Sequence, residues 1–268
     1  MTVAAQYVRG AWATVQRDAS IYFSYRLRVA SQLLGTLFTL TIFFYVAKLV
    51  RADAVGHRAH YYEFVVVGIA TLAILEAGLT VSQLVRMELV AGNFERLLIS
   101  PFGPVAGAMS MAVFPIAFAT LFAGLVLALA DVLFGVPIYL GGIPLALVVV
   151  AFGGVAFAAI GLLFVGALLA FKSAMGATWV MAALGLLGGI YFPVKLFPEW
   201  IRWASEIQPL TPAADLLRHQ LLGTPTTQVA WLELLKLAGF AAVLVPIGGA
   251  VLWEAVKVSR RRGTIMEY

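Results

Sequence analysis

The sequence predicts an all-α polytopic membrane protein: six transmembrane helices, an N-terminal amphipathic interface helix, and short outer amphipathic helices between spans five and six. Three observations carry this. Residues 97–130 and 132–171 hold no charged side chain, and each run far exceeds the roughly 20 residues one helix needs to cross a hydrocarbon core. The apolar fraction is 62%, against about 45–50% in soluble proteins. The runs are continuous rather than alternating, which argues against a barrel and leaves helices as the way to satisfy the backbone without water.

Composition bounds the rest. The 268 residues leave room for about six spans at roughly 20 residues each. No polar stretch is long enough for a soluble domain, so 1–268 reads as a single transmembrane domain. Residues 1–28 form its interface helix, 29–256 its bundle and 257–268 its basic tail. With no cysteine, disulfides, thiol catalysis and Cys-ligated metals are excluded. The net charge of +5 is assigned to basic loops facing an anionic leaflet, not to a nucleic-acid partner. The first long apolar run begins near Val29, too far in for a cleavable signal peptide.

The elements follow in order. Over 5–28, Val8, Trp12, Val15, Ala19 and Tyr22 form one stripe, with Arg9, Gln16, Arg17, Ser24 and Arg28 largely off it. This is the pattern of a helix lying on the membrane, and its alternative is a polar tail. Arg26 breaks the stripe and sets its end. The first span covers about 29–47, with Lys48 and Arg51 beyond it. The second covers 64–85 and ends at Arg86. The third covers 102–133, with Pro115 as an expected kink. Gly135-Val136-Pro137 and Gly141-Gly142 mark a turn before the fourth, 144–171. The fifth covers 174–192 and the sixth 237–256.

Six spans put both termini on one side. Eleven basic residues fall there (Arg9, Arg17, Arg26, Arg28, Arg86, Arg96, Lys172, Lys257 and Arg260 to Arg262) and seven on the other. The positive-inside rule makes the richer side cytoplasmic.

Between the last two spans the pattern changes. Gly185 and Gly189 make a GxxxG face for close helix approach. Pro193 is expected to break the fifth helix and Pro198 to open a new one. In that helix Leu196, Trp200, Trp203, Ala204 and Ile207 form an apolar stripe opposite Glu199, Arg202 and Glu206, which suits a membrane–water interface. A further short helix is expected with Thr211 as cap, Pro212 as first residue and Gly223 as stop. On the other side of the membrane, Asn93 can cap a short helix that Pro101 stops. Its Glu95 and Arg96 are suited to a soluble partner, or the segment is a solvated loop.

Some residues have two readings. Glu76 lies mid-way along the second span, where a charge costs about 2.5–3.5 kcal/mol on insertion scales. It is a substrate-path or proton-linked group, or a protonated carboxyl bonded to a neighbouring helix. Asp131 and Glu63 sit at span ends and need no special role. His57, His60 and Glu63 are too few for a firm metal site, and His219 stands alone. No catalytic constellation is present, so the chain is expected not to be an enzyme. No GxxxxGK[ST] occurs, so any ATP hydrolysis belongs to another polypeptide.

Tyr191-Phe192-Pro193-Val194, Pro198-Glu199-Trp200, Gln208-Pro209-Leu210-Thr211 and Asp215-Leu216-Leu217-Arg218 resemble the hallmark segment of ABC-2 type transporter permeases. Gly92-Asn93-Phe94-Glu95-Arg96-Leu97-Leu98-Ile99-Ser100-Pro101 is similar to that family's cytoplasmic loop between spans two and three. Gln208 departs from the family, where asparagine is common. The resemblance implies a membrane subunit of an ATP-driven exporter of drugs, lipids or glycans, placed in a bacterial inner membrane. It implies a second copy of the chain, two ATP-binding cassette subunits on the cytoplasmic side, and ATP and Mg held only by those subunits. The 92–101 segment would be the coupling helix and the Tyr191–Arg218 region would lie near the exit of the path. Phe43, Phe44, Tyr45 and Tyr191 are aromatic candidates for its lining. The rivals are an ion-coupled secondary transporter, which favours inverted repeats and several buried charges, and a lipid-modifying membrane enzyme.

Overall fold

The computed structural model describes residues 12, 15–22, 24, 26–49, 58–93, 103–171, 175–226 and 228–262. Nine helices are named here: α1 Arg26–Leu49, α2 Arg58–Leu79, α3 Val81–Val90, α4 Gly103–Phe134, α5 Ile143–Phe171, α6 Met175–Leu187, α7 Glu199–Glu206, α8 Leu210–Leu222 and α9 Ala230–Arg262. Residues 15–22 are also helical. Single 3₁₀ turns occupy Leu140–Gly142 and Val194–Leu196. Among the described residues there is no strand.

Five helical stretches are long and apolar enough to cross a membrane: Val29–Leu49, Tyr61–Val90, Gly103–Phe134, Leu140–Ala170 and Ala230–Ser259. They match five of the six expected spans. The expected fifth, 174–192, is represented by α6, whose 13 residues make a rod of about 20 Å at 1.5 Å per residue. Pro193 is not what ends it. The chain leaves the helix at Leu187 and turns at Gly189, whose φ of +73° is a left-handed conformation that costs glycine least. The expected GxxxG face is therefore split: Gly185 abuts Leu72 of α2, while Gly189 makes a turn.

Burial identifies the centre of the bundle. In its most apolar stretch 67% of Tyr61–Val90 is buried, and 56% of Leu140–Ala170, but only 6% of Val29–Leu49. Thus α2 and α5 are surrounded by protein, while α1 leaves Leu27, Leu34 and Phe38 exposed for lipid or another chain. Around α5 lie Val67, Leu75, Phe157, Leu210 and Leu237, which join α2, α5, α8 and α9. Toward the α3 end of the bundle Val81, Val85, Met111, Leu162 and Leu252 join α3, α4, α5 and α9. Toward the other end Leu40, Tyr62, Val66 and Phe122 join α1, α2 and α4.

The α2–α5 crossing is close because both helices place a glycine there. A Cβ on Gly78 would stand 2.6 Å from the Phe157 Cβ and 2.9 Å from the Ala158 backbone nitrogen. A Cβ on Gly161 would stand 2.7 Å from the Gly78 carbonyl oxygen. Such small-residue seams let backbones approach where apolar side chains gain nothing over lipid.

The second span has a turn at Thr80, between α2 and α3; the backbone there stays right-handed, at φ −60° and ψ −17°, and the Thr80 amide still donates to the Glu76 carbonyl at 3.0 Å. Thr80 Oγ1 donates to the Ala77 carbonyl at 2.5 Å and Ser82 Oγ to the Leu79 carbonyl at 3.0 Å. Hydroxyls bonding back onto the preceding turn are a known cause of helix bending. By contrast α4 runs through Pro115 and α9 through Pro246 as continuous helices.

The helical residues 15–22 rest against the bundle. Tyr22 packs on Phe118 of α4 with ring centroids 4.4 Å apart, and its hydroxyl donates to Gln32 Oε1 at 2.6 Å. Arg17 reaches Glu88 of α3 at 3.4 Å. Of the expected stripe, Val15, Ala19 and Tyr22 are half-buried and Trp12 is exposed. Its first part, 5–11, lies outside the described residues.

Candidate functional site

The Tyr191–Arg218 segment folds as two short helices returning onto the N-terminal ends of α2 and α5. Its first helix, α7, follows Pro198, whose carbonyl accepts from the Ile201 and Arg202 amides at 3.1 Å each. Proline there has a fixed φ and no donor to lose. Trp200, Trp203 and Ile207 are all exposed, at 75%, 59% and 64%, while Ser205 is fully buried. Glu199 and Glu206 of the opposite face are exposed as well.

The second helix, α8, starts two residues earlier than expected. Pro209 precedes it, Leu210 is its first residue, and Thr211 makes no cap; its Oγ1 is buried without a hydrogen-bond partner. The expected stop is correct: Gly223 is left-handed and its amide donates to the His219 carbonyl at 3.0 Å. Leu210 is 1% exposed and packs against Gly188, where a Cβ would meet its Cδ2 at 2.5 Å.

Arg218 is the anchor of this assembly. It is 3% exposed and spreads its guanidinium over three backbone carbonyls: Phe64 at 3.1 Å, Gly189 at 2.9 Å and Ile190 at 3.3 Å. Asp215, one turn back on α8, stands at 3.5 Å. The guanidinium also lies over the Phe64 ring at 3.4 Å, a cation–π arrangement. Carbonyls beyond the end of α6 have no helical partner, and a planar five-donor fork can satisfy several of them at once. Burial pushes the Arg218 pKa down to about 10, with Asp215 opposing the shift, so the side chain is charged at neutral pH.

Gly68 of α2 makes room for this. A Cβ there would meet the Ile190 carbonyl oxygen at 2.6 Å and Arg218 Nη2 at 2.9 Å. Sequence reasoning missed Gly68 because nothing distinguishes it from the other glycines among the 25 in the chain. It also missed the role of Arg218, whose partners are backbone atoms. Of the other predicted residues, Phe192 is exposed, and Pro193 caps the 3₁₀ turn by accepting from the Leu196 amide at 2.9 Å.

Behind α7 lies a cleft of 230 Å³, lined in part by Lys195, Arg202, Glu206, Asp215, Glu233 and Lys236. Both charge signs are present. Glu233 is 4% exposed and meets Lys236 at 3.6 Å. Gln208, the departure from the family pattern, is buried with neither amide atom hydrogen-bonded to protein.

The aromatic candidates separate. Phe43 stacks on Tyr191, with centroids 5.7 Å apart and planes 17° from parallel. Phe44 instead belongs to a cluster with Tyr62 and Phe134, at 5.4 and 4.9 Å. Tyr45 is exposed, and Lys48 lies over both the Phe44 and Tyr45 rings. Glu76 is exposed on α2.

Of residues 92–101 the structure describes only Gly92 and Asn93. Gly92 has a φ of +70° and ends the turn after α3, with the Asn93 amide donating to the Glu88 carbonyl at 2.9 Å. Phe94, Glu95, Arg96, Leu97, Leu98, Ser100 and Pro101 lie outside the described residues. So does His57 of the histidine pair.

Five helical stretches long and apolar enough to cross a membrane mark an integral membrane protein. The family model for ABC-2 type transporters matches residues 6–222, and the chain belongs to that family. It carries the membrane domain, and members of the family normally work with ATP-binding partners. No curated protein sequence matches the chain.

Proposed function

We propose that this chain is the permease subunit of an ATP-driven exporter. In this reading two copies form the membrane core and two ATP-binding cassette subunits dock from the cytoplasm. The sixth crossing is made by α6 with its neighbouring residues, both termini are cytoplasmic, and the membrane is a bacterial inner membrane. The observation that carries the reading is the family match over 6–222, in a chain with no phosphate-binding loop of its own. The Arg17–Glu88 contact, five residues from Asn93, supports an interface helix and a coupling segment that share one cytoplasmic surface. Closure of the ATP-binding subunits would push on 92–101 and switch the bundle between two packings.

The test is co-expression with candidate P-loop ATPases and purification in detergent. An ATPase recovered in equal ratio, with vanadate-sensitive activity, is the expected result. Glu95→Ala is expected to lower transport by about tenfold or more, the scale of losing one charge-assisted contact at a protein interface, while leaving expression unchanged. A chain that purifies alone and moves solute without ATP overturns the reading.

A further inference from the structure

The cleft behind α7 stands at the end of the bundle where long spans begin. Its Asp215 lies one turn from Arg218, which is bonded to the Phe64 carbonyl near the start of Tyr61–Val90. Its Glu233 and Lys236 occupy the first two turns of α9. The cleft is therefore level with the ends of membrane-crossing helices, at the depth of lipid headgroups. Exposed tryptophans mark the two helices that bound it: Trp200 and Trp203 on α7 and Trp231 on α9. Rings of this kind settle at the membrane–water boundary.

The lining carries both signs of charge in balance, Lys195, Arg202 and Lys236 against Glu206, Asp215 and Glu233. Glu233 has Lys236 beside it and Asp215 has Arg218. Among the described residues, Lys195, Arg202 and Glu206 make no ion pair. Arg202 Nη2 donates to the Phe197 carbonyl at 3.1 Å, but its Nε is buried without a hydrogen-bond partner, and so is Thr211 Oγ1 on the same lining. Buried donors are seldom left unmet. Three carboxylates disfavour a plain anion here, and three cations disfavour a plain cation. The lining suits a small group that carries both charges: a phosphate toward Lys195, Arg202 and Thr211, and an ammonium with N–H donors toward Glu206 and Asp215. At 230 Å³ the cleft is smaller than the roughly 300–1,000 Å³ of drug-sized pockets. It takes a headgroup and leaves acyl chains outside, beside the exposed Trp203 and Ile207.

We infer that the cleft between α7, α8 and the start of α9 binds the phosphoethanolamine headgroup of a membrane lipid, with Lys195 and Arg202 on the phosphate and Glu206 and Asp215 on the ammonium. Such a lipid is held at the rim of the bundle whether or not ATP drives transport.

The experiment uses the full chain, purified in detergent, delipidated and titrated under native mass spectrometry with three lipids of identical acyl chains. They are phosphatidylethanolamine, phosphatidylcholine, whose ammonium has no N–H, and phosphatidylglycerol, which has no ammonium. Phosphatidylethanolamine is expected to bind about tenfold tighter than either, the scale of one charge-assisted hydrogen bond. Lys195 and Glu206 are exposed, so changing them tests the ligand and not the fold. Lys195→Glu is expected to weaken phosphatidylethanolamine about tenfold and Lys195→Arg to keep it. Glu206→Gln is expected to bring it down toward phosphatidylcholine. Lys257→Gln, near the other end of α9 in an exposed pair with Glu254, is expected to change nothing. Equal binding of the three lipids overturns the site, and so does a preference that survives Lys195→Glu and Glu206→Gln combined. Glycerophosphoethanolamine, the same headgroup without acyl chains, is expected to compete only weakly. Competition as strong as the lipid's own affinity would make the ligand a soluble zwitterion and overturn the lipid assignment.

Discussion

Arg218→Ala is expected to unfasten the outer helices from the bundle and to lower stability by about 3–5 kcal/mol, the usual loss when one member of a buried charged set is removed. Alanine leaves the Gly189 and Ile190 carbonyls, now bonded at 2.9 and 3.3 Å, without their donor. Each orphaned buried group costs about 1–3 kcal/mol. The Phe64 ring and its carbonyl lose a partner in the same step. Arg218→Lys should recover little, because one ammonium cannot span three carbonyls held by two different segments. Thermal unfolding in detergent, followed by size-exclusion fluorescence, reads the effect. An Arg218→Ala protein that melts within about 2 °C of wild type, less than a 1 kcal/mol change produces, would show that the anchor carries no weight.

The second large effect is expected at the α2–α5 crossing. Gly78→Val places two branches where a single Cβ already meets the Phe157 Cβ at 2.6 Å and the Ala158 backbone nitrogen at 2.9 Å. Overpacking in a rigid core costs typically about 1–3 kcal/mol, and here the obstructing atoms belong to a central helix that cannot step aside. We expect Gly78→Val to abolish the correctly assembled protein and Gly78→Ala to lower its melting temperature. Gly124→Ala supplies the control, since nothing lies within 4 Å of its added Cβ. It should be neutral or gain up to about 1 kcal/mol from helix propensity. Equal expression and melting for Gly78→Val and Gly124→Ala would remove the crossing as a determinant of the fold.

Much of this architecture is legible in the sequence, for a physical reason. An uncharged run longer than a bilayer has few alternatives to a helix, so α4 and α5 are placed to within a residue or two of 102–133 and 144–171. The end of α8 was equally legible, because Gly223 is a left-handed stop. Where two solutions compete, the sequence is ambiguous. Pro193 and Gly189 can each end α6, and the glycine turn comes first along the chain. Thr211-Pro212 looks like a cap and first residue, yet Pro209 and Leu210 take those places. The turn at Thr80 had no separate signature, since threonine and serine also sit inside unbroken membrane helices. At the site, the motifs pointed to Tyr191 and Arg218 by resemblance. What those residues do depends on backbone carbonyls and on Gly68, none of which a residue type announces.

The turn at Thr80 has a mechanical consequence. A continuous rod would carry a torque applied near Asn93 along its whole length. The turn at residue 80, where two hydroxyls bond back onto the preceding turn, is where such a rod bends most easily when α3 is loaded through the Glu88–Arg17 contact. Glu76 sits one turn above that point, on the part of the helix clamped by Arg218 and by the Gly78–Gly161 seam.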